Sequence, residues 1–463
     1  MLRLMSAGCA ICFKNPIDST CQLSEVQRPW LVRLEPVSRL PAPPAMVEEA
    51  DEEGINSLYC DICYKIDRSM ELLTMLNVDA PLFELKGRKL LPIVQGGMGV
   101  GVSAHRLAGS VARLGAVGTI ASIDLRHHHE DLMERARDLR DHQKLDELNI
   151  IALDREVRAA LEIAEGEGLV AVNVMKAVSA HVALVRTACA SGAQAIVMGA
   201  GLPLDLPDLT ADYPEVALIP ILSDVRGIAV VIKKWMRKKR LPDAIVIEHP
   251  RYAGGHLGAP KPEDINDPRF EFPVVLEGTF QLFDELGIER RQIPLIPAGG
   301  INTHEKIKEL LALGASAVQV GTPFAVTEEG DAHPNFKKVL AEAKPEDIVT
   351  FMSVAGLPAR AVLTPWLKSY LRLEAKLQEC ARAGAERCAV GLQCLIKCGL
   401  RDGLAKFGQF CIDSQLAAAL RGDINKGLFF RGSESLPFGS AIRPVKELLE
   451  YLLTGCMPKF AEV

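Results

Sequence analysis

The sequence predicts an α/β protein whose main domain is a (β/α)8 TIM barrel, and three observations support this fold class. Eight short apolar segments rich in valine and isoleucine recur along the chain. Helical patterns separate them over roughly 240 residues. The segments do not alternate with polar residues, which is typical of parallel strands that are buried on both faces. The predicted strands are residues 90–95, 117–121, 169–175, 195–198, 217–222, 244–247, 293–296 and 317–320.

Composition excludes several classes of partner. The chain has 463 residues, of which 48% are hydrophobic and 24% charged, so it can bury a large core. Its formal net charge of -6 provides no basic field for nucleic acid or an anionic membrane surface. No apolar run reaches the roughly 18 residues of a membrane span. We expect a cytoplasmic protein with a small-molecule substrate and reduced thiols, and leave open whether it is a monomer or a homo-oligomer.

Three regions are predicted. Residues 1–69 form an irregular N-terminal extension, because prolines and an acidic run leave little to bury. Residues 70–330 form the barrel. Residues 331–463 are predicted to be a mostly helical region that packs on the barrel and ends in an amphipathic helix.

The helices between the strands have start and stop signals. A serine or threonine can accept backbone N–H bonds at the helix start, and a glycine can adopt the left-handed conformation that ends it. The predicted caps are Ser103, Ser179 and Thr303, and the terminating glycines are Gly115, Gly192 and Gly314. Residues 124–168 are too long for a loop and predict a charged helical insertion between the second and third strands.

A doubly wound open sheet uses the same strand–helix units and is the alternative fold. Its dinucleotide fingerprint belongs in the first turn. The segment from Gly97 to Gly101 does not place its glycines in that register. The barrel is therefore the better prediction.

Glycine-rich loops follow the seventh and eighth predicted strands. Ala298, Gly299 and Gly300 come after the seventh, and Gly321 and Thr322 after the eighth. In barrels of this class these two loops commonly bind phosphate, because glycine lets backbone N–H groups approach an anion. One such loop alone could simply turn the chain, but two in this order predict a phosphorylated ligand.

A histidine follows two glycines beyond the sixth predicted strand. His256 should face the barrel mouth, since the preceding strand ends near residue 248. An imidazole can exchange a proton near neutral pH, and the paired glycines let another group pack beside the backbone. We predict that His256 is catalytic or contacts the substrate, although a lone loop histidine is more often simply solvated.

Several segments together resemble the nitronate monooxygenase family, formerly called 2-nitropropane dioxygenases. They read PIVQGGMG at 92–99, AGGHLG at 253–258 and IPAGGI at 296–301. The segments GAGLP at 199–203 and LGASAVQVGT at 313–322 are similar to further family segments. The resemblance covers about residues 70–364 and leaves the first 69 residues outside it.

The resemblance implies an FMN-dependent oxidation of nitronates or nitroalkanes by dioxygen, giving a carbonyl compound and nitrite. His256 would hydrogen-bond the nitro group or take the α-proton of a neutral nitroalkane. The phosphate would lie on the two late glycine loops, and the flavin edge against the first loop. The implied cofactor-binding residues are Gln95, Gly96, Gly97, Met98, Asn173, Gly201, Gly255, Ala298, Gly299, Gly300, Gly321 and Thr322.

Two other functions remain open. FMN-dependent enoyl-acyl-carrier-protein reductases share the barrel, the glycine loops and a similar histidine, and would take hydride from NAD(P)H. A protein of another class, a non-catalytic adaptor that binds a metal or a cofactor, would keep the fold without turnover. Flavin binding is therefore better supported than reaction type.

The cysteines suggest two metal sites, although the proposed reaction requires no metal. Cys388, Cys394, Cys398 and Cys411 are loosely similar to the cluster motif of trimethylamine dehydrogenase-type flavoenzymes and could hold an iron–sulfur cluster. They could equally pack a helix as small hydrophobic residues. Two Cys-x2-Cys pairs form a candidate zinc site, at Cys9, Cys12, Cys60 and Cys63.

Overall fold

The computed structural model describes residues 81–139, 141–384, 388 and 394–458. All of these belong to one compact unit, Cys63–Val463. The predicted extension at 1–69 and the four cysteines of the candidate zinc site lie outside the described residues. The region after residue 330 and the barrel are parts of the same unit.

Eight parallel strands close into a barrel, as the sequence predicts. Each strand pairs with the next one along the chain, and the last pairs with the first through Val318↔Ile93, Gln319↔Val94 and Val320↔Gln95. The barrel strands are β3 (Ile93–Gln95), β4 (Val117–Ala121), β5 (Leu169–Met175), β6 (Ala195–Gly199), β7 (Ala217–Leu222), β8 (Ile245–Glu248), β10 (Leu295–Ala298) and β11 (Val318–Val320).

A short hairpin precedes the barrel. Strands β1 (Phe83–Leu85) and β2 (Arg88–Leu90) pair with each other in antiparallel fashion. Phe83, Leu85 and Leu90 pack in one buried cluster with side chains from the starts of the barrel strands, among them Val117 and Leu169. The hairpin therefore closes the N-terminal end of the barrel, which leaves the opposite end for ligands.

Helices surround the barrel and bury their apolar sides against it. They are α1 (His105–Arg113), α2 (Glu130–Ala136), α3 (His142–Ala164), α4 (His181–Ala190), α5 (Leu206–Leu209), α6 (Val225–Met236), α7 (Phe272–Leu286), α8 (His304–Ala312), α9 (Thr322–Ala325), α10 (Pro334–Glu342), α11 (Pro365–Glu379), α12 (Gly399–Asp402), α13 (Ile412–Leu420) and α14 (Val445–Thr454). The predicted insertion is helical: it comprises a short 3-10 turn, α2 and α3.

The predicted helix ends are correct and two of the three predicted starts are wrong. Thr303 caps α8 by accepting from the Lys306 N–H at 3.2 Å, but Ser179 makes no capping bond to α4. Ser103 does not cap α1 either, because its hydroxyl accepts from the Met98 N–H at 2.9 Å. The Asp331 carboxylate caps α1 instead and accepts from three of its first amides.

The C-terminal region contains a sheet that the sequence did not predict. Strands β12 (Ile348–Met352) and β13 (Pro358–Val362) form an antiparallel hairpin. Strand β13 also pairs with β9 (Gly255–His256), a two-residue strand that follows β8. The C-terminal region is therefore joined by backbone pairing to the segment that carries His256.

Within the described part of the chain, none of the helices has both the length and the apolar character needed to cross a bilayer.

Candidate functional site

A cavity of about 1080 Å³ opens at the C-terminal ends of the barrel strands. One wall, which we call the barrel wall, consists of the loops that follow the strands, with the glycine segments at 96–99, 199–201, 299–300 and 321. The opposite wall, the C-terminal wall, is formed by residues from 336 onward, with Phe430 and Asp413 among them. The predicted catalytic and cofactor-binding residues therefore line this cavity, with Gln95 as the exception.

Glycines after β10 are required by the backbone and by close packing. Gly299 and Gly300 have φ angles of 96° and 74°, a region that disfavours other residues. A Cβ on Gly300 would lie 2.7 Å from the Tyr252 ring, and one on Gly299 would lie 3.1 Å from the His249 carbonyl oxygen. This turn exists in its present form only with glycine at both positions.

Gly321, which follows β11, is not crowded by its neighbours as Gly299 and Gly300 are. A Cβ built on it would have only the Met98 sulfur within 4 Å, at 3.9 Å. Gly321 lines the cavity and precedes α9, and the Thr322 hydroxyl accepts from the Gly432 N–H at 3.1 Å. The fold therefore has room for a Cβ at Gly321, and the space beside this glycine belongs to the cavity.

The first glycine loop packs against β5. A Cβ on Gly97 would lie 2.4 Å from the Asn173 Cβ, so glycine allows Asn173 to lie under the loop. Gln95 does not reach the cavity: its side chain is fully buried and its Oε1 accepts from the Thr119 N–H at 2.8 Å. Gln95 holds β3 to β4 and supports the loop from below, which differs from the expected contact with the flavin edge.

Gly201 borders the cavity on another side. Its φ of 132° is accessible to glycine, and a Cβ there would lie 3.2 Å from the Lys176 side chain. The Lys176 amine lies 2.6 Å from an Asp205 carboxylate oxygen. The loop after β6 is therefore fixed by an ion pair behind the glycine.

His256 lies at the mouth, as predicted, and is held from the C-terminal wall. Its Nε2 lies 2.8 Å from the Ser353 Oγ, and its ring centroid lies 5.9 Å from that of Phe430. Burial lowers the pKa of His256 to about 4, because the surrounding protein provides no compensating charge. The imidazole is therefore neutral at pH 7.

The glycines before His256 accommodate the chain itself. A Cβ on Gly254 would lie 2.5 Å from the Arg431 carbonyl carbon, and Gly255 has a φ of 72°. Close approach was expected from the sequence, but the group that approaches is the backbone at Arg431 and Gly432. This contact fixes the C-terminal wall against the histidine loop.

Sequence reasoning missed several cavity residues. Glu248 ends β8 and lines the cavity, and burial raises its pKa to about 7. Its position at the end of a barrel strand was the available signal. Phe430, which lines the cavity, and Ser353, which contacts His256 without lining it, come from distant segments without a motif, so the sequence offered no signal for them.

A buried ionic cluster lies at the edge of the cavity. Arg126 donates to Asp124 and to Asn149, and its guanidinium lies 3.8 Å from Asp413. Burial and the charge of Asp124 raise the pKa of Asp413 well above its ordinary value. The cluster joins the helical insertion to α13 of the C-terminal wall.

The four cysteines of the candidate iron–sulfur site come from one part of the C-terminal region. Cys388 and Cys398 are buried, and Cys394 lines the cavity. Burial raises the pKa of the Cys398 thiol, and Ser414 donates to the Cys411 sulfur at 3.3 Å. Among the described residues, no group of three or more histidine, cysteine, aspartate or glutamate side chains is arranged to hold a metal ion.

Comparison with known proteins identifies relatives of the chain. The family model for nitronate monooxygenase matches residues 84–455. A probable nitronate monooxygenase of Bacillus subtilis (strain 168) is 31% identical over 147 residues, covering 32% of this chain and 39% of the relative. One of Staphylococcus saprophyticus is 26% identical over 171 residues, covering 36% and 46%. The matches thus span less than half the length of these relatives.

Solved structures agree on the fold. FabK from Thermotoga maritima has a TM-score of 0.54 at 21% identity, covering 83% of this chain and 94% of that chain. Nitroalkane oxidase from Streptomyces ansochromogenes has a TM-score of 0.53 at 19% identity, covering 80% and 95%. At these identities the structures support the barrel architecture alone. Because the family model covers most of the sequence, the chain belongs to the nitronate monooxygenase family.

Proposed function

We propose that this protein is an FMN-dependent oxidoreductase that oxidises nitronates and nitroalkanes with dioxygen to a carbonyl compound and nitrite. The observation that carries the proposal is a neutral histidine and two glycine turns around one cavity at the C-terminal end of a barrel. Family membership supports the same class of reaction.

The cavity fits a flavin with a small substrate. Its volume of about 1080 Å³ is slightly above the usual range for ligand pockets, which ends at about 1,000 Å³. Gly299, Gly300, Gly321 and Thr322 would hold the phosphate, since the open space beside Gly321 is where an anion could meet backbone amides. Ala298 ends the strand that leads into this turn.

Arg431 supplies a positive charge to the same cavity. Its side chain is 4% exposed, and burial lowers its pKa, an effect partly offset by the charge of Glu434. Its Nε and Nη1 donate to the carbonyl oxygens of Leu340 and Gly432. In the part of the chain that the structure describes, no carboxylate forms an ion pair with it, so a phosphate would complement its charge.

The flavin ring would lie against the other glycine loops. Gly96, Gly97 and Met98 on one side and Gly201 on another would border it, with Asn173 as the polar contact and Gly255 beside the histidine. FMN, when bound there, would supply the electron acceptor for the nitronate and the site of reoxidation by dioxygen.

His256 would orient the nitro group. The Ser353 hydroxyl accepts from the Ala355 N–H at 3.2 Å, so its own hydrogen can donate to His256 Nε2. When the hydroxyl donates in this way, the proton of the neutral histidine is on Nδ1, from which it would donate to a nitro oxygen. A neutral donor in a water-poor pocket stabilises the negative charge of a nitronate without forming a competing ion pair.

Oxygen uptake by the purified protein tests the proposal. With FMN bound and a nitronate added, we expect uptake and nitrite release without NAD(P)H. Flavin bleaching by NAD(P)H, with no uptake on nitronate, would instead support enoyl reduction. A protein that binds no flavin after reconstitution would contradict both. Iron analysis of the same sample tests the cysteine site separately.

A further inference from the structure

Four cysteines of the C-terminal region come together beside the cavity. We call Cys388, Cys394, Cys398 and Cys411 the cysteine cluster. The Cys388 thiol forms a hydrogen bond with the Cys411 thiol. It also lies close enough to Cys394 and Cys398 to interact with both electrostatically. One thiol of the cluster therefore has the other three as neighbours.

The cysteines of this cluster do not pack a helix. Cys394 lies in an irregular segment, and its carbonyl oxygen accepts from the Ser179 N–H at 3.2 Å, which attaches the segment to the loop after β5. Cys398 immediately precedes α12, and Cys411 immediately precedes α13. The sequence left open a helical stripe of small hydrophobic cysteines, but residues 394–398 contain no helix.

Hydrogen-bond donors are directed at two sulfurs of the cluster. The Arg401 N–H donates to the Cys398 Sγ at 3.5 Å, and the Ser414 hydroxyl donates to the Cys411 Sγ at 3.3 Å. A neutral thiol is a weak acceptor, so these donors stabilise the sulfur most when it is a thiolate. Proteins also use hydrogen bonds to the sulfurs to adjust iron–sulfur clusters. The surroundings of these two sulfurs therefore suit thiolate ligands.

The turn that joins Cys398 to Cys411 is tightly packed. A Cβ on Gly399 would lie 2.3 Å from the Gly408 carbonyl oxygen, so the two halves of the turn touch through backbone. The Gln409 side-chain amide is buried and donates to three carbonyl oxygens of the same turn, at 3.0 to 3.2 Å. These contacts fix the positions of the two cysteines relative to each other.

The thiols of the cluster need a cation if they are to ionise. Burial raises the pKa of Cys394 and of Cys398, and the neighbouring thiols add to both effects. A hydrogen bond with Cys388, followed by burial, raises the pKa of Cys411. Buried thiolates would repel one another, whereas a bound metal supplies positive charge and deprotonates the thiols that coordinate it. Metal binding would therefore remove the cost of ionising this cluster.

The arrangement of the sulfurs fits an iron–sulfur cluster better than a single metal ion. A tetrahedral zinc site holds its sulfurs about 3.8 Å apart, since each Zn–S bond is about 2.3 Å long. Within the described ranges, no three cysteine, histidine, aspartate or glutamate side chains are arranged to hold one ion. In an iron–sulfur cluster, iron and sulfide ions lie between the thiolates, so the thiolates lie farther apart. Four neighbouring thiols that do not converge on one point match that requirement.

We propose that Cys388, Cys394, Cys398 and Cys411 bind an iron–sulfur cluster beside the C-terminal wall of the cavity. Cys394 itself lines the cavity, as does Asp413 near Cys411. On binding, each thiol releases its proton and its sulfur forms a bond to iron, so no cysteine is oxidised. The inference does not depend on the proposed function, because nitronate oxidation uses none of these thiols.

Metal and sulfide analysis of the wild-type protein is the first test. The full-length protein is purified without oxygen, reconstituted with ferrous iron and sulfide, and desalted. We expect about four iron and four sulfide ions per chain for a [4Fe–4S] cluster, or about two of each for a [2Fe–2S] cluster. Dithionite should then produce the low-temperature electron paramagnetic resonance signal of a reduced cluster. Protein without iron, or with iron but without sulfide, would overturn the proposal.

Single substitutions assign the iron to these cysteines. Cys398→Ala and Cys411→Ala should each retain less than about one iron per chain, because each removes a ligand of the cluster. Cys189→Ala is the matched control: Cys189 is a buried thiol in α4, outside the cluster, and this variant should keep the wild-type iron content. Full iron content in both cluster variants, or an equal loss in Cys189→Ala, would contradict the assignment. The wild-type analysis decides the matter if the cluster variants do not fold.

A second control excludes the candidate zinc site near the N-terminus. In a variant with Cys9, Cys12, Cys60 and Cys63 replaced by serine, iron and sulfide should remain at the wild-type level. Loss of the iron in this variant would place the metal at those four cysteines and overturn the proposal. So would zinc without sulfide, or a disulfide within the cysteine cluster in place of iron, detected by mass spectrometry.

Discussion

The two walls of the cavity are built in different ways. The barrel wall uses backbone: Gly299 and Gly300 turn with positive φ, and packing leaves no room for a Cβ on either. The C-terminal wall uses side chains, with the Ser353 hydroxyl on His256 and the Phe430 ring beside it. On the proposed function, the backbone of the barrel wall and Arg431 of the C-terminal wall would hold the cofactor, and the side chains around His256 would tune the chemistry.

The largest expected effect comes from adding a side chain to a glycine of the barrel wall. In Gly321→Val the new Cβ would enter the cavity with only the Met98 sulfur within 4 Å, at 3.9 Å. We expect FMN affinity to fall by about 100-fold or more, or about 2.7 kcal/mol, with the melting temperature of the apoprotein unchanged. Flavin fluorescence titration measures the affinity.

Gly287→Ala is the control for that variant. Gly287 ends α7 with a φ of 67°, has open space around its Cβ position and does not line the cavity. It should lose about 1 kcal/mol of stability and no flavin. Equal flavin affinity in Gly321→Val and wild type would contradict the proposal that the phosphate binds at this wall.

A smaller effect is expected from His256→Ala. Loss of a donor to a nitro group that gains charge should lower kcat/KM on nitronate by about 10- to 100-fold, because bonds to charged groups contribute about 1.5–3 kcal/mol. Flavin content should remain that of the wild type. Steady-state oxygen uptake together with an absorption spectrum measures both. Loss of flavin with the activity would assign His256 to cofactor binding.

Ser353→Ala should also lower kcat/KM on nitronate, but by less than His256→Ala does. Ser353 is fully buried and touches the cavity only through His256, so it acts as a positioning residue. A neutral hydrogen bond contributes about 1 kcal/mol, so we expect roughly a fivefold loss in kcat/KM. The His256→Ala background should abolish this loss. If Ser353→Ala still lowers kcat/KM about fivefold in the His256→Ala background, Ser353 acts through a group other than His256.

The smallest effects distinguish correct from incorrect helix caps. Thr303→Ala removes an observed cap and should cost about 1 kcal/mol of unfolding free energy. Ser179→Ala removes no capping bond and should change stability by less than about 0.5 kcal/mol. Urea denaturation measures both, and equal values would contradict the capping geometry.

The difference between the two walls of the cavity also explains how much of the structure could be predicted from the sequence. The barrel and its glycine turns were predictable because glycine adopts positive φ more readily than other residues, and such glycines form motifs, as at Gly299 and Gly300. The caps at Ser103 and Ser179 were wrong because tertiary contacts decided them. For Ser103 the competing contacts were the Met98 amide and Asp331.

The C-terminal wall was not predictable for a different reason. Ser353 meets His256 across 97 positions in the chain, and hydroxyls at such distances leave no local pattern. The β12–β13 hairpin was also missed, although its pairing with β9 fixes the position of His256. Glu248 was overlooked because its importance depends on burial, which a single sequence does not reveal.

One measurement tests the central claim most directly, namely that both walls enclose a flavin and a nitro substrate. Purified FMN-loaded protein is mixed with ethyl nitronate without oxygen, and the visible flavin absorption band is recorded. The account predicts loss of the oxidised band without NAD(P)H, and its return when air is admitted. An oxidised band that persists with nitronate and disappears only with NAD(P)H would contradict it.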